Sequence, residues 1–153
     1  MSDIRKKMWE AMSRSPFIMI GLNNNGGHRE PMTAQLDKDA NHAFWIYTTA
    51  DNRIAAGGPA MVQYASKGHD LFACIGGTLV AETDPVIFDR FWSKHVAAWY
   101  PGGRNDPNLR LMRFNLDDAE VWAVDASLAG KLTLLTGGKV DPEKMGDHAK
   151  LKL

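Results

Sequence analysis

The chain has almost no thiol chemistry, no charge excess and no long apolar run. Of its 153 residues one is a cysteine, Cys74. A lone thiol forms no internal disulfide, which suits a reducing compartment. Lys and Arg total 18, Asp and Glu total 18, and the formal net charge is zero. Nucleic-acid binding needs a basic excess, so that class is disfavoured, while a single basic pocket is not. No apolar run approaches the ~20 residues that cross a bilayer. The opening segment MSDIRKKMWEAM carries charges where a secretory signal needs an apolar stretch. The expectation is a soluble cytoplasmic protein. His28, His42, His69, His95 and His148 lack the close spacing of a metal site, so no metal is expected. Gly-x-Ser-x-Gly and Gly-x-Gly-x-x-Gly are both missing, which removes the usual hydrolase and dinucleotide-fold signals.

What remains reads as one domain over residues 1–153, large enough to bury roughly 70% of its unfolded surface without a metal or disulfide. Residues 2–15 read as a helix, with Ile4, Met8, Trp9 and Met12 on one stripe and Pro16 as its stop. FIMIGL (17–22), REPMTAQL (29–36) and HAFWIYTT (42–49) read as strands, the last two forming a hairpin around DKDAN. DNRIAAGG (51–58) has a cap residue at Asp51 and a Gly pair at its end, which predicts a short helix. PAMVQYA and LFACIGGTLVAET follow as strands, with a bulge at Gly76 and Gly77. Residues 84–100 give the clearest helix, capped by Asp84 and Pro85, with a stripe of Phe88, Phe91, Trp92, His95, Val96 and Trp99. LRLMRFNL and AEVWAVDA read as a strand pair around Asp117–Asp118. LAGKLTLLTGG is read as a last helix, and the polar segment 139–153 as a loose tail. Six or seven short antiparallel strands with few helices predict a mainly β fold (α+β), best protected at its edges by curling into a barrel.

PMTAQL, FWIYTTADNR, AAWYPGGRNDP and AEVWAV, in that order, resemble the pyridoxamine 5'-phosphate oxidase-like flavoproteins, in particular the bacterial general stress protein branch. The likeness spans about residues 5–126. It implies a split β-barrel that forms a homodimer, with FMN in clefts at the dimer interface. It implies that backbone groups of Pro31, Met32 and Thr33, with Gln35 beside them, line the flavin ring. It places Thr48, Thr49, Asn52 and Arg53 around the flavin phosphate, and makes Trp122 the aromatic that the partner subunit brings. The chemistry is reasonable independently: a phosphate wants hydroxyl donors and a guanidinium able to bind two oxygens. The predicted helix opening at Asp51 would add free amides.

The chain departs from the pattern. Glu30 stands where Arg is usual before Pro-Met, with Arg29 one place earlier. Gln35 replaces the Lys of true oxidases, and Ile54 the Lys of Ser-Arg-Lys. EKMGDHAKLKL lacks the Arg and His grip on pyridoxal phosphate, so vitamin B6 oxidation is not expected. No catalytic acid or base is identified. Plainer readings stand beside these. Thr48 and Thr49 suit any strand end. Arg53 is by default a solvated side chain, and Trp122 sits in a strand among core valines. PGGR resembles an anion-binding turn but is first a helix stop. Three functions stay open at this point: an FMN-dependent, stress-related oxidoreductase of unknown substrate, a non-catalytic flavin-binding or storage protein, and a dimeric scaffold that has lost flavin. A deazaflavin in place of FMN is open too.

Overall fold

The computed structural model describes residues 3–124 and 146–153. Helix α1 covers Asp3–Arg14. Strands β1 (Phe17–Leu22), β2 (Glu30–Thr33), β3 (Ala43–Thr49), β4 (Gly58–Ala65) and β5 (Leu71–Ala81) follow. Helices α2 (Pro85–Phe91) and α3 (Lys94–Ala97) precede β6 (Leu109–Val124) and β7 (Gly146–Lys152). All pairings are antiparallel, in the order β2-β1-β4-β5-β6-β3, and β7 pairs with β6. The ends of the path, β2 and β3, meet at one isolated bridge, Gln35 to Trp45, with backbone hydrogen bonds of 2.7 and 3.0 Å. The sheet therefore curls without closing by a ladder, as a split barrel does. The expected fold class is the observed one.

The interior is built by alternation. β5 buries every second residue over its first nine, from Leu71 through Leu79, as a strand with one wet face must. Ile20, Phe44, Ile46, Val62, Ile75 and Phe114 are fully buried, and the rings of Phe44 and Phe114 sit 5.0 Å apart. α1 adds Ile4, Met8 and Met12 to this core. Tyr64 fixes its end: the hydroxyl lies 2.9 and 2.8 Å from the Ala11 and Ser15 carbonyl oxygens and shares its proton between them. β3 is buried on both faces, which explains its unbroken apolar run. Its outer residues Trp45 and Tyr47 pack with Leu111, Phe88, Phe91 and Trp92 in a second cluster under α2 and α3.

Several sequence expectations are corrected. β2 and β3 do not form a hairpin; β2 finds its ladder with β1, the strand before it, and β3 with the distant β6. Residues 51–56 form turns and no helix, because the Asn52 side chain accepts the Ile54 amide at 2.9 Å and so competes with helical bonding. The long helix is two short ones: Trp92 turns extended, and the Ser93 hydroxyl caps α3 by accepting the Val96 amide. Of its expected stripe, His95 and Trp99 are exposed, Trp99 to 79%. Asp117–Asp118 is no turn. β6 runs straight through, and Asp117 is the extra residue of a bulge facing Gly76 and Gly77. A side chain at Gly77 would place its Cβ 2.3 Å from the Asn115 carbonyl oxygen, so the close approach demands glycine there. The tail is not loose throughout, since 146–152 forms β7. The helix expected over 128–138 lies outside the described residues. Among the described residues no helix is long and apolar enough to cross a membrane.

Candidate functional site

The split in the barrel is the candidate site. Continuing the antiparallel pairing from the Gln35–Trp45 bridge would set Thr33 opposite Tyr47 and Pro31 opposite Thr49, yet no ladder forms there. The two segments singled out in the sequence, 31–35 and 48–53, thus flank one wedge. β2 is an edge strand, so half of its backbone groups are unspent on the sheet. Alternation assigns them. Ala34 donates to the Pro16 carbonyl oxygen at 2.8 Å, toward β1, and Gln35 faces Trp45. By the same alternation Thr33 and Pro31 face the wedge, while the backbone of Met32 faces Ile18 of β1. The Met32 side chain packs on the core. Met32 is thus separated from Pro31 and Thr33.

At the mouth of the wedge the two segments touch. Arg53 donates from Nη1 to the His28 carbonyl oxygen at 3.0 Å, and its Nε lies 3.4 Å from Glu30 Oε1. Arg29 lies across β1: its Cδ would be 2.4 Å from a Cβ at Gly21, and its Nη1 is 3.5 Å from the Leu22 carbonyl oxygen. Glycine at position 21 is what lets the arginine lie so close. On the other wall, Thr49 donates its hydroxyl to Asp51 Oδ1 at 2.6 Å. That bond holds the Asp51 carboxyl below its ordinary pKa, helped by a backbone bond and opposed by slight desolvation. Asn52 donates its amide to the Thr49 carbonyl oxygen at 3.0 Å, closing the turn. Thr48 is 3% exposed, facing away from solvent.

Glu30, Pro31, Thr33, Gln35, Thr49, Asn52 and Arg53 are therefore gathered around the split. The Arg29 side chain lies over β1, on the side of β2 away from the split. Trp122 is also apart. It lies on the outer face of β6, between Phe72 of β5 and His148 of β7, past the stretch of β6 that pairs with β3. Its ring stacks on His148 at 5.0 Å between centroids and is 40% exposed. The PGGR turn is also spoken for: the Arg104 guanidinium lies 3.8 Å above the Phe88 ring and 2.6 Å from Asp89. What sequence reasoning missed is how two of these residues pair, Glu30 on Arg53 and Asp51 on Thr49. Only the first spans 23 positions of sequence, and no local pattern signals it.

An anionic tail fits this mouth in part. The Arg53 guanidinium and the Asn52 side-chain amide are available in kind, and the Thr49 hydroxyl can turn from Asp51, which is fully at the surface. In the wedge, the Thr33 N–H and the Pro31 and Thr33 carbonyl oxygens lie on an unpaired edge, a donor and acceptors of the kind the edge of a planar heterocycle can meet.

The family model for "Pyridoxamine 5'-phosphate oxidase like" matches residues 3–145. The chain belongs to that family. The solved structure of a general stress FMN/FAD binding protein from the phytopathogen Xanthomonas citri is 42% identical, with 82% of this chain and 92% of that chain covered and a TM-score of 0.75. A structure from Jannaschia sp. CCS1, named for general stress protein 26, is 28% identical over 100% of both chains, with a TM-score of 0.82. A protein from Clostridium acetobutylicum, related to general stress protein 26 of B. subtilis, is 16% identical over 98% of this chain and 94% of its own, at a TM-score of 0.68. It shares the fold. No curated protein matches.

Proposed function

We propose that the chain is a homodimeric FMN-binding flavoprotein, and that its role is that of a stress-related oxidoreductase. The observation that carries this is the wedge itself: an unpaired strand edge on one side, and a hydroxyl, an amide and a guanidinium on the other, meeting at Arg53. Membership of the family and the 42% identity to a protein named for FMN/FAD binding support it. Arg53 and Asn52 would hold the phosphate, with Thr49 beside them. The backbone of Thr33 and the carbonyl oxygen of Pro31 would meet the ring edge. Bound FMN would supply reversible electron transfer. The protein's part is to bind, orient and shield it. No side chain in the wedge is assigned as acid or base, and the substrate is not named.

The homodimer rests on the outer face of the sheet. Phe17 and Met19 of β1, Phe72 of β5 and Trp122 of β6 point to the same side and stay 66%, 41%, 39% and 40% exposed. Clustered aromatics of this kind mark a surface that another protein covers. Within one chain, β1, β4 and β5 separate Trp122 from β2. A second copy seated on this face gives Trp122 a route to a wedge.

Purified protein tests the reading. It is expected to be yellow, with flavin absorbance that a reduced nicotinamide bleaches and oxygen restores. Colour without bleaching favours the storage reading. A colourless protein that leaves the fluorescence of added FMN unchanged overturns flavin binding.

A further inference from the structure

The wedge mouth holds an anion of its own. Glu30 Oε1 is sealed from solvent and, among the described residues, accepts no hydrogen bond; its compensation is the Arg53 guanidinium 3.4 Å away. The Glu30 side chain is 24% exposed and the Arg53 side chain 47%. Asp51, the other resident carboxylate, lies fully at the surface. A ligand that takes the Arg53 guanidinium therefore shares it with Glu30 and sits beside a half-buried negative charge. A half-buried charge is screened less than an exposed one, so the repulsion persists at physiological salt. The penalty scales with the ligand's own charge. It is largest for a phosphate monoester, smaller for a diester that spreads one charge per phosphate, and nil for a neutral tail.

We propose that Glu30 is a specificity-determining residue of the wedge: it weakens the hold on FMN's dianionic phosphate monoester and so narrows FMN's advantage over flavins whose tail carries less charge at Arg53. This rests on the flavin reading and sharpens it by naming the class of tail.

The test is a titration of the full chain, stripped of any bound ligand, with FMN, FAD and riboflavin. Wild type is compared with Glu30→Gln, which keeps shape and removes charge. Circular dichroism checks folding, and Glu30→Ala serves as a second variant. The expected result is FMN affinity raised about tenfold or more in Glu30→Gln. FAD should gain less and riboflavin should stay unchanged. An equal gain for all three flavins overturns the assignment, since it would mean a shape effect. No gain for FMN, or a loss, overturns it as well, since Glu30 would then only position Arg53. Failure of all three flavins to bind any variant overturns the flavin reading itself, along with this one.

Discussion

Replacing Phe72 by Asp should break the proposed dimer. Phe72 lies at the centre of the outer apolar face, flanked across its strand pairs by Ala65 and Trp122. It is 39% exposed in the single chain. Fully burying a Phe side chain contributes roughly 1.5–3 kcal/mol, so covering that remainder contributes about 1 kcal/mol. A two-fold interface uses each residue twice, which doubles the figure to about 2 kcal/mol. A carboxylate brought under the partner also has to be desolvated, at a further cost of several kcal/mol per ion. The total exceeds about 4 kcal/mol, or roughly a thousandfold in the dimer dissociation constant. Sedimentation equilibrium at micromolar protein reads this directly. The variant should sediment as a folded monomer and lose flavin with the dimer, because Trp122 then has no partner's wedge to reach. An unchanged dimer would refute the assignment of this face, and a wild-type monomer would refute the dimer altogether.

Other perturbations test the fold. Phe114→Ala empties a fully buried ring from the centre of the barrel and should cost about 3–5 kcal/mol, lowering Tm by about 10 °C or more on thermal denaturation. Gly77→Ala brings a methyl against the Asn115 carbonyl and the Phe114 ring, at 2.3 and 2.6 Å, and should cost about 1–3 kcal/mol. Gly68→Ala, with its nearest atom at 3.7 Å, should stay within about 0.5 kcal/mol of wild type. Burial pushes the Tyr47 phenol up to about 12 and raises Tyr64 and Tyr100 too; Arg104 opposes and Asp89 adds to the rise at Tyr47, while Asp70 adds to it and Arg14 opposes it at Tyr64. The unfolded chain releases these protons near pH 10 and the folded chain does not. Stability is therefore full below pH 10 and falls as pH rises toward about 12. Urea midpoints followed across that window check the sign; phenolate absorbance growing at pH 10 in a still-native protein would contradict it.

Local chemistry made much of the fold legible. α1 carries its stripe and its proline stop, β5 its strict alternation, and the Gly76–Gly77 bulge its glycines. The failures have two causes: contacts between strands, and local side chains that compete with helical bonding, as Asn52 does at Ile54 and Ser93 at Val96. Asp117–Asp118 looks like a turn until Gly76 and Gly77 lie opposite and turn it into a bulge. The run from Asp84 to Tyr100 has helix periodicity, yet Ser93 serves as a cap in mid-run and splits it. β2 and β3 look like neighbours, but each pairs more extensively elsewhere, and that preference is what opens the wedge. The candidate site divides the same way. Thr49, Asn52 and Arg53 sit together because a tight turn holds them, and the motif shows it. That Glu30 reaches Arg53 follows from how the barrel curls, which no short pattern records.

The central claim is that the split between β2 and β3 holds a flavin. Mass spectrometry of the small molecule released when the purified protein is denatured tests it most directly. The account predicts the mass of FMN, close to one per chain. Release of no flavin, from a protein that also fails to take up added FMN, would contradict it.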